Sequence, residues 1–196
     1  MFRDTEGRTG PYIQANFNPD SQHFGEMLRR SSFSILDVGC GEKPRLSWAL
    51  SAGDLWVGCD PAATNGIVIK GERPVRQSAG LVVFPYTADE IPLFKPDVIS
   101  VIAPNQEDIV KGRVFNDGLE KLLDPGKEQT MVVLLDTRTH ESQTFQEEAK
   151  HFISRWRREN GFKPDAENPV LDKFRLNSAD AGAKNIRFCY IRNSSR

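Results

Sequence analysis

Ser34-Ile-Leu-Asp37-Val-Gly39-Cys-Gly41-Glu-Lys-Pro44, followed downstream by Leu55-Trp-Val-Gly-Cys-Asp60, sets the architecture of this chain. Ile35, Leu36 and Val38 make an apolar run that stops at a glycine-rich turn, the pattern of a buried strand. Gly39 and Gly41 let the backbone approach a ligand where a Cβ would collide. Pro44 suits the first turn of a helix, where its missing N–H has no intrahelical partner. Gly53 suits that helix's C-terminal stop. Leu55 to Val57 is a second apolar run, closed by the carboxylate of Asp60. Strand, glycine turn, helix, strand and acid make half of a nucleotide-binding βαβ unit.

The spacing narrows the kind of nucleotide. A dinucleotide fingerprint reads Gly-x-Gly-x-x-Gly, and counted from Gly39 its third glycine falls on Pro44. What stands instead is Asp37-x-Gly39-x-Gly41, with Asp60 nineteen residues after Gly41. This pattern resembles the first two motifs of the class I S-adenosylmethionine-dependent methyltransferases. The third glycine that many members carry two positions after Gly41 is Lys43 here. The resemblance implies an α/β fold: a Rossmann-like, seven-stranded sheet, mostly parallel with an antiparallel C-terminal hairpin, and helices on both faces. It implies S-adenosyl-L-methionine as cofactor, with Asp37, Gly39, Cys40 and Gly41 beneath its methionine and ribose. Asp60, followed by Pro61, would take the ribose hydroxyls.

Farther on, Leu81 to Phe84 reads as another strand. Tyr86-Thr87-Ala88-Asp89-Glu90-Ile91-Pro92 then resembles the family's third motif, whose acid and following residue contact the adenine. Thr87 occupies the acid position, so Thr87, Ala88 and Asp89 are the adenine candidates. Asp97 to Asn105 is a nearly continuous apolar strand, buried on both faces by its composition. Ala103-Pro104-Asn105-Gln106 stands where the resemblance places the fourth motif, which makes Ala103 a cofactor candidate. Asn105 is a candidate for holding the acceptor, although the motif's aromatic residue is missing. Asn105 equally suits the N-cap of the next helix, whose first turn carries Glu107 and Asp108.

Asp108 to Leu123 is helical in composition, with Gly112 and Asn116-Asp117-Gly118 as interruptions. Met131 to Leu135 is the fifth strand, and the loop after it holds His140. An imidazole titrates near neutral pH, so His140 is a candidate general base; a surface or capping role is its plain alternative. Phe145, Ala149, Phe152, Ile153 and Trp156 recur at helical spacing up to Asn160-Gly161. Arg155, Arg157 and Arg158 cluster at that helix's end, where cations suit the dipole; RNA phosphate contact is their sharper reading. Val170 to Leu176 and Asn185 to Arg192 are the expected hairpin.

Around this unit the composition is plain. The chain has 196 residues, of which 38% are hydrophobic and 27% charged, with a formal net charge of −1. Such a balance supplies no long-range field for gathering phosphates. Residues 1–32 read as an N-terminal arm and helix, with Tyr12, Asn16, Phe17 and His23 as candidate pocket-lid residues; residues 33–196 read as the cofactor-binding domain. No run of 18 apolar residues and no signal-type apolar core occurs, so no membrane partner is expected. Cys40, Cys59 and Cys189, without a Cys-x-x-Cys, read as reduced, buried residues of a cytoplasmic protein, and no metal site is expected. The expected activity is methyl transfer, with a small-molecule acceptor favoured by the compact, near-neutral chain. An RNA base is the alternative acceptor, and a non-catalytic cofactor-binding member the third reading.

Overall fold

The computed structural model describes residues 13–14, 22–41, 53–61, 80–84, 87–91, 94–102, 104–115, 117–136, 143–170 and 185–194. In chain order the elements are β1 (Ile13–Gln14), α1 (Gln22–Arg30), β2 (Phe33–Val38), β3 (Asp54–Cys59) and β4 (Gly80–Phe84). A 3₁₀ turn (Ala88–Glu90) then leads to β5 (Val98–Ile102), α2 (Gln106–Val110), α3 (Asp117–Glu120), β6 (Gln129–Asp136), α4 (Gln143–Glu159), β7 (Lys163–Pro164) and β8 (Asn185–Arg192). The strands form one sheet in the order β1-β4-β3-β2-β5-β6-β8-β7. Pairs from β1 through β6 are parallel, while β8 runs antiparallel to both β6 and β7. The chain starts outward from β2 in one direction and later returns to its other side with β5. That reversal opens a crevice at the carboxyl ends of β2 and β5.

The mostly parallel sheet with an antiparallel C-terminal edge is the expected architecture; the four described α-helices pack on one of its faces, helices of the other face are not among the described residues, and two strands differ in detail. Ile13–Gln14 adds an eighth strand beside β4 to the seven expected. The outer partner of β8 is Lys163–Pro164 rather than Val170 to Leu176. Val170 instead follows an Asn turn in which its N–H donates to Asn168 Oδ1 at 3.0 Å; residues 171–176 lie outside the described residues. Both surprises are two-residue strands, too short to carry an alternation signal. The helix expected from Pro44 to Gly53 also lies outside the described residues, although Gly53 itself has the positive φ, 80°, of a chain stop. The expected break after α2 occurs at Gly112, where φ is 67°.

Strand composition explains the layers. β2, β3 and β5 are almost wholly buried, as near-continuous apolar strands with both faces covered must be. One face carries Leu36, Val57, Phe84, Ile99 and Val133, and packs with Phe24 of α1, Ile109 of α2, Leu119 of α3 and Ala149, Ile153 and Trp156 of α4. Phe24 meets Phe84 and Phe94 edge-on, with ring centroids 5.4 and 5.9 Å apart, which pins α1 to the sheet. The other face carries Ile35, Trp56, Val83, Val98 and Val132.

The amino ends of the strands are closed by polar side chains. Gln129 is fully buried, accepts the Asp124 N–H at 2.8 Å, and donates to the carbonyls of Pro96 and Leu122 at 2.9 and 3.1 Å. Asp97 accepts the N–H and hydroxyl of Ser34 and pairs with Lys127. This end is a structural clasp. The opposite, carboxyl end holds the crevice.

Candidate functional site

At the crevice β2 and β3 end side by side, with Val38 opposite Cys59. Gly39 and Gly41 both have positive φ, 70° and 71°, so the turn needs glycine at each. Three successive backbone N–H groups of this turn are spent on the protein itself. Those of Gly39 and Cys40 both donate to the Cys59 carbonyl, at 2.8 and 3.2 Å, and that of Gly41 donates to Asp60 Oδ2 at 2.8 Å. A Cβ at Gly39 would meet nothing within 4 Å, and the residue is exposed, so the outer side of the turn is open.

Asp37 lies just below this turn, 3% exposed, in a row across the sheet between Gly58 of β3 and Ser100 of β5. Ser100 is fully buried, and its hydroxyl donates to Asp37 Oδ1 at 2.9 Å. Burial pushes the Asp37 carboxyl up to about 7; the charge of Asp60 pushes the same way, and the Ser100 hydrogen bond opposes it. Cys40 is half-buried rather than buried as expected, and burial together with the neighbouring Asp37 drives its thiol far above the ordinary range. The thiol is therefore held in its neutral form. A Cβ on Gly58 would lie 2.4 Å from Trp56 Cη2 and 2.7 Å from Cys40 Sγ. The missing side chain is what lets the Trp56 ring and the turn pack together.

The remaining candidates line the same strand ends, where the described residues include them. Pro61 is exposed immediately after Asp60. Thr87 is exposed at the head of the 3₁₀ turn, its N–H and hydroxyl both donating to Glu90 Oε2 at 2.9 Å. Ala88 is buried, and Asp89 continues the turn with its side chain outside the described residues. Asn105 is the N-cap of α2, with Oδ1 accepting the Glu107 N–H at 3.0 Å and Glu107 and Asp108 in the first turn. Ala103, His140 and the lid candidates Tyr12, Asn16 and Phe17 lie outside the described residues, as does the side chain of His23. Among the described residues no cluster of metal-ligating side chains occurs, and no helix is long and apolar enough to cross a membrane.

The arginine cluster is elsewhere. After α4 the chain enters β7, where Lys163 opposes Ile191, and Ile191 opposes Thr130 at the start of β6. Arg155, Arg157 and Arg158 thus sit toward the amino ends of the strands, away from the glycine turn. Their groups are also engaged: Arg157 lies 5.1 Å over the Tyr190 ring and donates to the Phe162 carbonyl, Arg155 lies 5.1 Å over Phe152, and Arg158 Nε donates to the Ser154 carbonyl.

Two features of the site were not expected from the pattern of residues: the spent N–H groups, which only backbone geometry reveals, and Ser100. A signal for Ser100 does exist in the sequence. It is the one polar residue within Val98-Ile-Ser-Val-Ile, and a buried hydroxyl needs a partner.

The spent N–H groups and two carboxylates decide what the turn can hold. A pyrophosphate needs backbone donors and positive potential; here the three described donors, of Gly39, Cys40 and Gly41, are consumed, and the described side chains beside them, Asp37 and Asp60, are acidic. A pyrophosphate finds no partner in this described part of the turn; a ribose diol finds one in Asp60. A ligand with hydroxyl donors and a positive charge suits it, and S-adenosylmethionine carries a ribose diol and a sulfonium. Among solved structures the chain is similar to the 16S rRNA (adenine(1408)-N(1))-methyltransferase from Catenulisporales acidiphilia, at 18% identity over 95% of this chain and 98% of that one, with a TM-score of 0.61. The fold is that of the class I S-adenosylmethionine-dependent methyltransferases. A point variant of the same enzyme, solved with its cosubstrate S-adenosylmethionine, matches at 18% identity over 92% of this chain and 93% of that one, with a TM-score of 0.59. The 16S rRNA methyltransferase KamB matches at 16% identity over 87% and 92% of the two chains, with a TM-score of 0.53. No protein-family model and no curated relative matches the sequence. The methyltransferase fold is thus shared across nearly the whole chain while its sequence has diverged widely.

Proposed function

We propose that the protein binds S-adenosylmethionine and transfers its methyl group to a base of RNA. The observation that carries the cofactor half is the glycine turn, open outward, with its N–H groups spent and the Asp60 and Asp37 carboxylates at its edge and base. Asp60 would accept the ribose hydroxyls while its hold on Gly41 keeps the turn in shape. Gly39, Cys40 and Gly41 would supply the bare backbone beneath the methionine and ribose, with Pro61 beside them. Thr87, Ala88 and Asp89 would border the adenine: the Thr87 hydroxyl donates to Glu90, so its oxygen remains an acceptor for an exocyclic amine. Ala103 would stand on the cofactor side, and Asn105, just past the end of β5, would hold the acceptor. When bound, the cofactor supplies an activated methyl on a positively charged sulfur. The protein's own part is to orient the acceptor in line with it and to exclude water.

The near-neutral charge by itself points to a small-molecule acceptor. Two similarities outweigh that: the C. acidiphilia enzyme and KamB, each matched along most of its own length, carry names that specify 16S rRNA. They support RNA over a small molecule for this chain. The test is transfer of a tritiated methyl group from S-adenosylmethionine to a cell extract separated into small molecules, RNA, ribosomal subunits and protein. Label in RNA, free or within a ribosomal subunit, is the expected result. Label confined to small molecules would overturn the acceptor, and calorimetric heat from NADH but not from S-adenosylmethionine would overturn the cofactor.

A further inference from the structure

We infer that Ser100 is a positioning residue of the cofactor site: its hydroxyl holds the Asp37 carboxylate charged beneath the glycine turn, so that a cationic ligand is bound in preference to a neutral one of the same shape. The inference deepens the proposed function and rests on its cofactor reading. It starts from register. Asp37 and Ser100 are direct partners in the β2–β5 pair, so their side chains project from the same face of the sheet. Both are buried, and the hydroxyl reaches Asp37 Oδ1 at 2.9 Å.

A buried carboxylate is costly unless hydrogen-bonded. Among the described residues, the charged or titratable groups facing Asp37 are Asp60 at the end of β3 and Cys40 in the turn. Neither is a cation. Asp60 repels the Asp37 charge, burial holds the Cys40 thiol neutral, and the Ser100 hydroxyl is the contact that favours it. Nor do the described N–H groups of the turn help, because those of Gly39, Cys40 and Gly41 are already spent on Cys59 and Asp60. With no cation beside Asp37 among the described residues, a bound ligand would supply the positive charge. S-adenosylmethionine has a sulfonium, and S-adenosylhomocysteine, its demethylated product, has a neutral thioether in the same place. A charged Asp37 therefore favours the donor over the product, and a neutral Asp37 does not.

The experiment uses the full chain and two readouts. Calorimetry with S-adenosylmethionine and S-adenosylhomocysteine from pH 6 to 8 gives the ratio of their affinities. In the wild type that ratio is expected to shift several-fold toward S-adenosylmethionine as pH rises. In Ser100→Ala the shift moves to higher pH, and in Asp37→Asn, which keeps the shape and the hydrogen bond, it disappears. Carbon NMR of labelled aspartate in the ligand-free protein gives the second readout, with the Asp37 midpoint rising by about one pH unit in Ser100→Ala. Should Ser100→Ala fail to fold, the comparison of wild type with Asp37→Asn still decides. An affinity ratio flat with pH in the wild type, or an Asp37 midpoint unmoved by Ser100→Ala, overturns the inference while leaving cofactor binding intact. Binding of neither compound at any pH removes the cofactor reading, and this inference with it.

Discussion

Asp60 Oδ2 accepts the Gly41 N–H at 2.8 Å, so the residue that ends one strand fixes the loop that leaves the next. One carboxylate thus has two tasks: shaping the turn and, in the proposed function, holding the ribose. Asp60→Ala is expected to weaken S-adenosylmethionine binding by about tenfold or more, since each charge-assisted bond contributes about 1.5–3 kcal/mol before solvent screening. Asp60→Asn keeps an acceptor for Gly41 and is expected to retain more affinity than the alanine variant. Calorimetry on both variants checks this; equal affinities of wild type and Asp60→Ala would remove Asp60 from the site.

The pH dependence of stability should carry the signature of Asp37. Its carboxyl titrates normally near 3.8 and in the folded protein at about 7, so between these values the folded state binds the extra proton. Stability therefore falls as pH rises from about 4 to about 7, the reverse of a salt-bridged carboxylate. Asp37→Asn abolishes this contribution. The melting temperature of the wild type relative to Asp37→Asn is expected to decline across that window and level off above it. A difference that stays constant with pH would show that Asp37 does not titrate there.

Gly58 is irreplaceable for a steric reason. Alanine there sets a methyl 2.4 Å from the end of a buried indole and 2.7 Å from a sulfur. Overpacking of this kind costs about 1–3 kcal/mol, which Gly58→Ala should show as a lower urea midpoint with an unchanged slope. An unchanged midpoint would mean that Trp56 moves aside freely.

At the other end of the sheet, Gln129→Leu removes the partners of three backbone groups, those of Asp124, Pro96 and Leu122. Unpaired buried groups cost about 1–3 kcal/mol each, so a loss of about 3 kcal/mol is expected by denaturant titration. Cofactor affinity, measured where the variant is folded, should not change, because the clasp and the crevice lie at opposite ends of the strands.

The arginine cluster gives the last prediction. Replacing Arg155 and Arg158 with glutamine should leave the salt dependence of RNA binding unaltered, since both lie far from the crevice along α4. A slope flattened by roughly 0.7 per lost phosphate contact would place RNA on that end of the molecule instead.

What the sequence disclosed follows from which forces act locally. Apolar runs ending in glycine or acid are local, so β2, β3 and β5 and the glycine turn from Gly39 to Gly41 were legible residue by residue. The break at Gly112 and the cap at Asn105 were legible for the same reason. Lys163–Pro164 was not, because its strand character comes wholly from pairing with β8. Nor was Ser100, whose role exists only because the sheet brings residue 100 beside residue 37. The place of Arg155 to Arg158 was not legible for the same reason: charge is visible in sequence, but the end of the sheet it reaches is not.

The position of β8 has a consequence for how the chain is made. It is synthesised after β7 yet lies inside it, between β6 and β7. Among the described residues β7 pairs with nothing else, so on the ribosome this edge cannot assemble in the order in which it emerges. Until residues 185–192 arrive, Tyr190 is missing from the cluster that buries Trp156 and Phe162. A nascent chain stalled before that point would leave β6 an open edge, with its apolar cluster short of Tyr190, the kind of incomplete sheet that chaperones shield.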